Sequence, residues 1–230
     1  MTGNPADLIY IASTWVIPVL FAVTLHEAAH GYAAWWFGDD TAYRYGRLTL
    51  NPLRHVDPFG TVLLPALLLL VGAPFLFGWA KPVPVAFQRL GNPHRDMVFV
   101  AAAGPGTNLI LAAISAILFH VIPILPPGVD VWTAQVLYNS IVLNLVLAVF
   151  NMLPLPPLDG GRVAVGLLPR SLARPLAQLE PYGLGILIGV IFILPLLGAR
   201  LGVPLDVFHS LVGGPVQWLL PFFRGLAGLA

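Results

Sequence analysis

The sequence predicts an all-α polytopic membrane protein, and three observations carry that prediction. Hydrophobic residues make up 58% of the chain and charged residues only 9%, where a soluble domain spends about a quarter of its residues on charge to cover its surface. The mean hydropathy is +0.86. Several apolar runs approach the roughly 20 residues that cross a bilayer as a helix. No internal repeat, low-complexity tract or long polar stretch is visible, so residues 1–230 read as a single membrane-embedded domain.

The first element runs from Leu8 to about Phe37, entered through Asn4-Pro5-Ala6-Asp7 and stopped by Gly38-Asp39-Asp40. Pro18 is expected to kink it, because proline lacks the amide hydrogen that would bond the Thr14 carbonyl. A polar loop to Asp57 holds Arg44, Arg47 and Arg54. The next apolar run, 59–79, is interrupted by Pro65, Gly72 and Pro74. Charge and proline return in Ala80-Lys81-Pro82-Val83-Pro84-Val85, which predicts a short extended loop over 80–96. A third run covers about 97–122 and a fourth about 131–153, ending in NMLPLPPLDGG. After a segment with Arg162, Arg170 and Arg174, further runs occupy about 182–198 and 205–223.

Basic residues constrain the topology. Should 59–79 cross the membrane, loops 38–58 and 80–96 face opposite sides with three Lys/Arg each. A re-entrant 59–79 puts those loops and 154–181 on one side, which then holds nine of the 11 Lys/Arg, whereas the Pro123–Asp130 loop opposite holds none. The positive-inside rule prefers the second arrangement and makes the basic side cytoplasmic. Re-entrant backbone is tolerated where protein buries it. The expectation is five full spans plus one re-entrant element, five to six membrane helices in all, with the N-terminus outside. MTGNPADL lacks the basic region of a cleavable signal peptide. With no cysteine and a net charge of +1, disulfides and thiolate metal sites are excluded, and no basic run suggests a nucleic-acid partner.

Inside the first run stands His26-Glu27-Ala28-Ala29-His30, the H-E-x-x-H pattern. On a helix the two histidines lie one turn apart on one face, so both imidazoles can meet a single ion. Glu27 flanks that face, placed to take a proton from an activated water without being a ligand. Zinc suits the pattern because it binds imidazole well and has no redox chemistry to control. The plainer reading is interhelical hydrogen bonding. Against it, the chain has only two glutamates, one of them between these histidines, and ionisable groups inside a span are costly enough that function is the default reading.

Catalytic zinc takes three protein ligands. Asp7 and Asp130 belong at the far end, Asp39 and Asp40 follow His30 too closely to fold back, and Asp57 and Asp96 read as solvated loop residues. Asp159 differs, because it follows an apolar helix and a stiff proline-rich segment and precedes Gly160-Gly161, which allow a tight turn and a close approach. Its competing reading is an N-cap. His26 lies about 27 Å along the first helix at ~1.5 Å per residue, toward the cytoplasmic half, and Asp159 reaches it only if the fourth run ends on that side. The re-entrant reading of 59–79 satisfies this.

HEAAH, Gly104-Pro105-Gly106-Thr107-Asn108 and Asn151…Leu158-Asp159-Gly160 together resemble the site-2 protease family of intramembrane zinc metalloproteases, in a minimal prokaryotic form without PDZ or CBS domains. The resemblance runs from about Phe21 to Arg162. It implies a protease domain with its catalytic core over about 8–165 and C-terminal helices over about 182–223. One zinc ion per chain would be held by His26, His30 and Asp159, with Glu27 as general base and acid. It also implies a substrate or oxyanion role for Asn151, whose alternative is simple helix termination. Asn108 is read more readily as a packing residue, with substrate contact second. Asn144 and His120 are read as interhelical hydrogen bonders. Lys81–Val85 could pair with an unwound substrate on one side only, since its prolines donate nothing.

The expected function is hydrolysis of a peptide bond in or near the transmembrane segment of a membrane protein, as in regulated intramembrane proteolysis. The partners are a transmembrane substrate and the bilayer, in a multi-pass protein of the prokaryotic cell membrane with its active site toward the cytoplasm. Gly185 and Gly189 form a small-xxx-small pattern suited to packing within or between protomers. The competing readings are a membrane zinc protease acting on interfacial or lipidated chains, and a non-proteolytic metal-binding membrane protein or transporter.

Overall fold

The computed structural model describes residues 5–63, 67, 78, 80–203 and 205–229. Among these the chain is helical with no strand. Helix α1 spans Pro5–Trp36 and is followed by the one-turn α2, Thr41–Arg44. The long α3 covers Pro93–Leu118 and α4 Val129–Asn151. The short α5 and α6 are Asp159–Leu167 and Arg170–Ala177. Then α7, Gly183–Ile188, continues through a π-turn into α8, Leu194–Leu201, and α9 covers Gly214–Leu226. Among the described residues, four helical stretches are long and apolar enough to cross a membrane: Ile9–Trp36, Pro93–Ile124, Val129–Asn151 and Arg170–Leu201. The segment before α9 is also helical from residue 207, but His209, Gln217 and Arg224 dilute its apolar character. The re-entrant expectation for 59–79 falls largely outside the described residues, which include only a short π-turn at Pro58–Leu63.

Helix α3 is the axis of the bundle, packed against both α1 and α4, which also touch each other, with α5 across its start. It begins four residues earlier than the hydrophobic run suggests, because Asn92 caps it, its side chain accepting from the Arg95 amide, and Pro93 supplies a ready first turn. The extended stretch is consequently confined to 80–86. The far half of α3 forms the main apolar core, where Ala112 and Ala116, with Phe119 just beyond the helix, meet Ile141 and Leu145 of α4 and Val212, Val216 and Phe223 near the C-terminus. The alanines let the backbones approach closely, which is how helices associate in lipid.

Polar groups stitch the same interfaces. Pro18 leaves the Thr14 carbonyl without its helical donor, and Asn139 of α4 supplies one: its Nδ2 lies 3.3 Å from the Thr14 carbonyl and 3.1 Å from its Oγ1. Trp132 donates to Ser13 at 2.9 Å, and His120 bonds the Leu226 carbonyl at 3.0 Å. Freed backbone groups in membrane helices are re-satisfied by neighbouring helices in this way. At the other end, Asp39 is fully buried and accepts from the Thr41 amide and hydroxyl and from the Ala86 amide at 2.6 Å, fastening the extended stretch to the end of α1. Asp96, read from sequence as a solvated loop residue, is instead 1% exposed. It sits in the first turn of α3 and accepts from the Asn92 amide at 2.7 Å and from Arg95. Asp40 is half-buried, and its hydrogen bond from Arg44 holds the carboxyl below the usual range.

Replacing Asn139 with Leu returns the Thr14 carbonyl to an unpartnered state. Unfolding of the variant in detergent should show a loss of about 0.5–1.5 kcal/mol, with metal content unchanged.

Candidate metal centre

Helix α1 presents His26 and His30 on the face that meets α3. Both imidazoles are fixed from behind. The Nδ1 of His26 lies 2.6 Å from Oδ1 of Asn108, and the Nδ1 of His30 lies 2.7 Å from the Val100 carbonyl. Both partners can only accept, so each Nδ1 carries a proton, and in the neutral imidazole each Nε2 keeps its lone pair. Asn108 is itself oriented, since its Nδ2 donates to Oδ1 of Asn144 at 2.8 Å, and Asn144 in turn donates to the Ser140 carbonyl at 2.9 Å. The order of this chain, α1 to α3 to α4, fixes which amide end faces the histidine.

The third group arrives on α5. Leu158 is the N-cap, and no side chain caps that helix. Asp159 turns its carboxylate to the imidazoles, with Oδ2 3.2 Å from Nε2 of His26 and 3.3 Å from Nε2 of His30. The turn delivering it needs both glycines. A Cβ at Gly160 would lie 2.2 Å from the Met152 carbonyl oxygen, and one at Gly161 2.2 Å from the Pro156 nitrogen. No side chain fits there.

These three atoms test whether a metal ion fits. The two Nε2 atoms stand 3.1 Å apart, so the three separations run from 3.1 to 3.3 Å. Ligands about 2.0–2.1 Å from a tetrahedral ion stand roughly 3.3–3.4 Å apart. The side chains are only 9–12% exposed, and with both Nδ1 protons pointing away, two lone pairs and a carboxylate oxygen converge with no proton between them. A cation answers that arrangement. The donor set, two imidazoles and one carboxylate, is one that zinc accepts. Among the described residues this is the one group of three metal-ligating side chains.

Gly104 closes the back of the group. A Cβ there would lie 2.4 Å from Nε2 of His30 and 2.6 Å from Cε1 of His26. The Gly104–Asn108 stretch therefore acts twice, the glycine making room for the rings and the asparagine orienting one of them. Asn108 is fully buried behind His26, away from the side that Asp159 approaches. Asn151 is half-buried at the end of α4, and its amide donates to the Leu147 carbonyl of its own helix at 3.0 Å.

Glu27 is half-buried. Its Oε2 accepts from the Val83 amide at 2.7 Å, while Oε1 receives no bond among the described residues. The extended stretch is held elsewhere as well: the Lys81 amide donates to the His55 carbonyl at 2.9 Å, and Arg47 donates to the Lys81 carbonyl at 2.7 Å. The sequence singles out Lys81–Val85 for its prolines and edge character. Its contact with Glu27 has no sequence signal, because 56 residues separate the partners.

Fold and site together define the class: a polytopic helical membrane protein built around H-E-x-x-H and a buried aspartate from a second helix. The sequence model of Peptidase family M50 matches residues 128–196, which include Asp159. A relative in Bacillus subtilis, provisionally named zinc metalloprotease YwhC, is 43% identical over 189 residues, covering 79% of this chain and 80% of its own. Relatives provisionally named zinc metalloprotease Rip2 are 33% identical in Mycolicibacterium smegmatis, covering 77% of this chain and 66% of theirs, and 32% identical in Mycobacterium tuberculosis, covering 86% and 74%. The chain belongs to Peptidase family M50, the site-2 proteases. No solved structure matches it.

Alanine at position 104 would ordinarily favour a helix by about 1 kcal/mol, but here its methyl group displaces an imidazole. Gly104→Ala should therefore lower zinc affinity at least tenfold in chelator competition while leaving helix content intact. Asn108→Leu, which releases the His26 tautomer, should cost about 10–100-fold in the same assay.

Proposed function

We propose that this M50 peptidase is an intramembrane zinc protease that hydrolyses a peptide bond in or near the transmembrane segment of a membrane protein, in the manner of regulated intramembrane proteolysis. The observation that carries the reading is the convergence of His26, His30 and Asp159 inside an apolar span. Trp35 and Trp36, exposed at the end of α1, mark an aromatic interface, and His30 lies about five residues, roughly 8 Å, below it. A peptide bond reaching the site must come from within or just beneath the bilayer surface.

His26, His30 and Asp159 would hold the zinc, which when bound supplies Lewis acidity to polarise the scissile carbonyl and bring the pKa of a water to about 7. Glu27 then acts as the proton carrier. Its Oε1 takes a proton from the attacking water and returns it to the leaving nitrogen as the C–N bond breaks, so that water is divided between the new carboxylate and the new amine. The Val83 amide holds the other carboxylate oxygen and fixes the rotamer. Asn151 is the group we assign to substrate or oxyanion contact, and Asn108 acts on the reaction only through His26. The basic loops favour a cytoplasmic position for this end of the bundle in a prokaryotic membrane.

Glu27→Gln should retain stoichiometric zinc and cleave a transmembrane substrate about 10²–10⁴-fold more slowly in proteoliposomes. Wild-type cleavage rates in the variant would reject Glu27 as the proton carrier. Equal rates for the transmembrane substrate and a matched interfacial peptide would reject the intramembrane reading.

A further inference from the structure

We propose that a second site, remote from the metal group, binds the phosphate-bearing headgroup of an anionic lipid. A cavity of about 910 Å³ opens where α6 faces the start of α3 and the end of α5, lined by His94, Val165, Arg170, Ser171, Arg174 and Gln178. Its polar lining consists of two guanidinium groups, an imidazole, a hydroxyl and an amide, and no carboxylate lines it. Arg170 and Arg174 are four apart on one helix and project to the same side. Like charges in that register repel.

Four of the other eight arginines are answered by carboxylates. Arg44 and Arg89 pair with Asp40, Arg95 pairs with Asp96, and Arg162 pairs with Glu180. Arg170 and Arg174 meet no carboxylate among the described residues, although α6 lies only a few residues from Glu180. Two unanswered guanidinium groups beside further donors suit an anion with several acceptor oxygens, the chemistry of a phosphate ester. The location selects the source. Helix α6 opens the membrane-spanning stretch Arg170–Leu201, and Leu167 and Leu172 on either side of Arg170 are exposed. A lipid would thus set its phosphate against the arginines and its chains beside leucine.

The cavity also touches the helix that carries Asp159. A Cβ at Gly166 would lie 3.1 Å from the His94 carbonyl and 2.3 Å from the Val98 side chain, so the end of α5 is pressed on α3 at the rim of this cavity. A bound headgroup would brace that junction.

The test uses the full chain taken from vesicles of equal phosphatidylglycerol and phosphatidylcholine, with retained lipids counted by native mass spectrometry. Wild-type protein should retain phosphatidylglycerol in excess, and each arginine should contribute roughly fivefold. R170Q/R174Q should lose most of that preference. R200Q/R224Q, which removes the same charge elsewhere, should keep it. No excess in the wild type, or equal losses in the two double variants, would overturn the site. Release of the lipid by an equal concentration of soluble glycerol phosphate would overturn the lipid as its occupant.

Discussion

Both imidazoles give their Nδ1 protons to acceptors on α3, and the chemistry of the centre follows from where those protons go. Had either ring turned its proton inward, it would donate to Asp159 and the group would be a satisfied hydrogen-bond cluster that needs no ion. Because Asn108 and the Val100 carbonyl hold the protons outside, two lone pairs and an anionic oxygen face one another at 3.1–3.3 Å. Such an arrangement is repulsive without a cation and suits one that accepts imidazole and carboxylate. The amide chain through Asn144 into α4 makes the tautomer a property of three packed helices rather than of one side chain.

The packing of α1 on α3 serves the same constraint. Close contact between spans in lipid needs small residues, and at Gly104 not even a methyl group fits against the two rings. A bundle that packed α1 and α3 further apart would lose the Asn108 bond and the Val100 bond together. The centre and the helix interface are therefore one structural feature, and a change to either disturbs both.

Much of this was legible in the sequence, and the parts that were not share a cause. H-E-x-x-H gives the two imidazoles because helical spacing is local, and Gly160-Gly161 flags the turn because only glycine permits that approach. The pairing of His26 with Asp159 across 133 residues came from elimination among carboxylates plus a family resemblance. Asn108 was noticed but read mainly as packing, because nothing local says which neighbour an amide faces. The bond from the Val83 amide to Glu27 is silent for the same reason: a backbone donor carries no residue identity. Asp96 misled, since a charged residue beside Asn-Pro-His-Arg reads as solvated, yet its carboxylate is buried against the Asn92 amide. Asp39 and Asp159, unlike Asp96, whose donors lie within four residues, face groups that only tertiary structure brings to them, a relation composition does not carry.

Asp159 shows what such a relation requires. A carboxylate removed from water costs several kcal/mol unless opposed, so it must be delivered to its partners and kept there. The short α5 is pinned at both ends, by the turn that only Gly160 and Gly161 can make and by Gly166 against the start of α3. The helix is nine residues long, and rigid attachment at two points leaves it little freedom to swing. Its fixed length then sets where the carboxylate stands relative to α1. The side chain that comes from farthest away in sequence is thus positioned as firmly as the two that share a helical turn, and glycine, which has no side chain to contribute, is what makes that positioning possible.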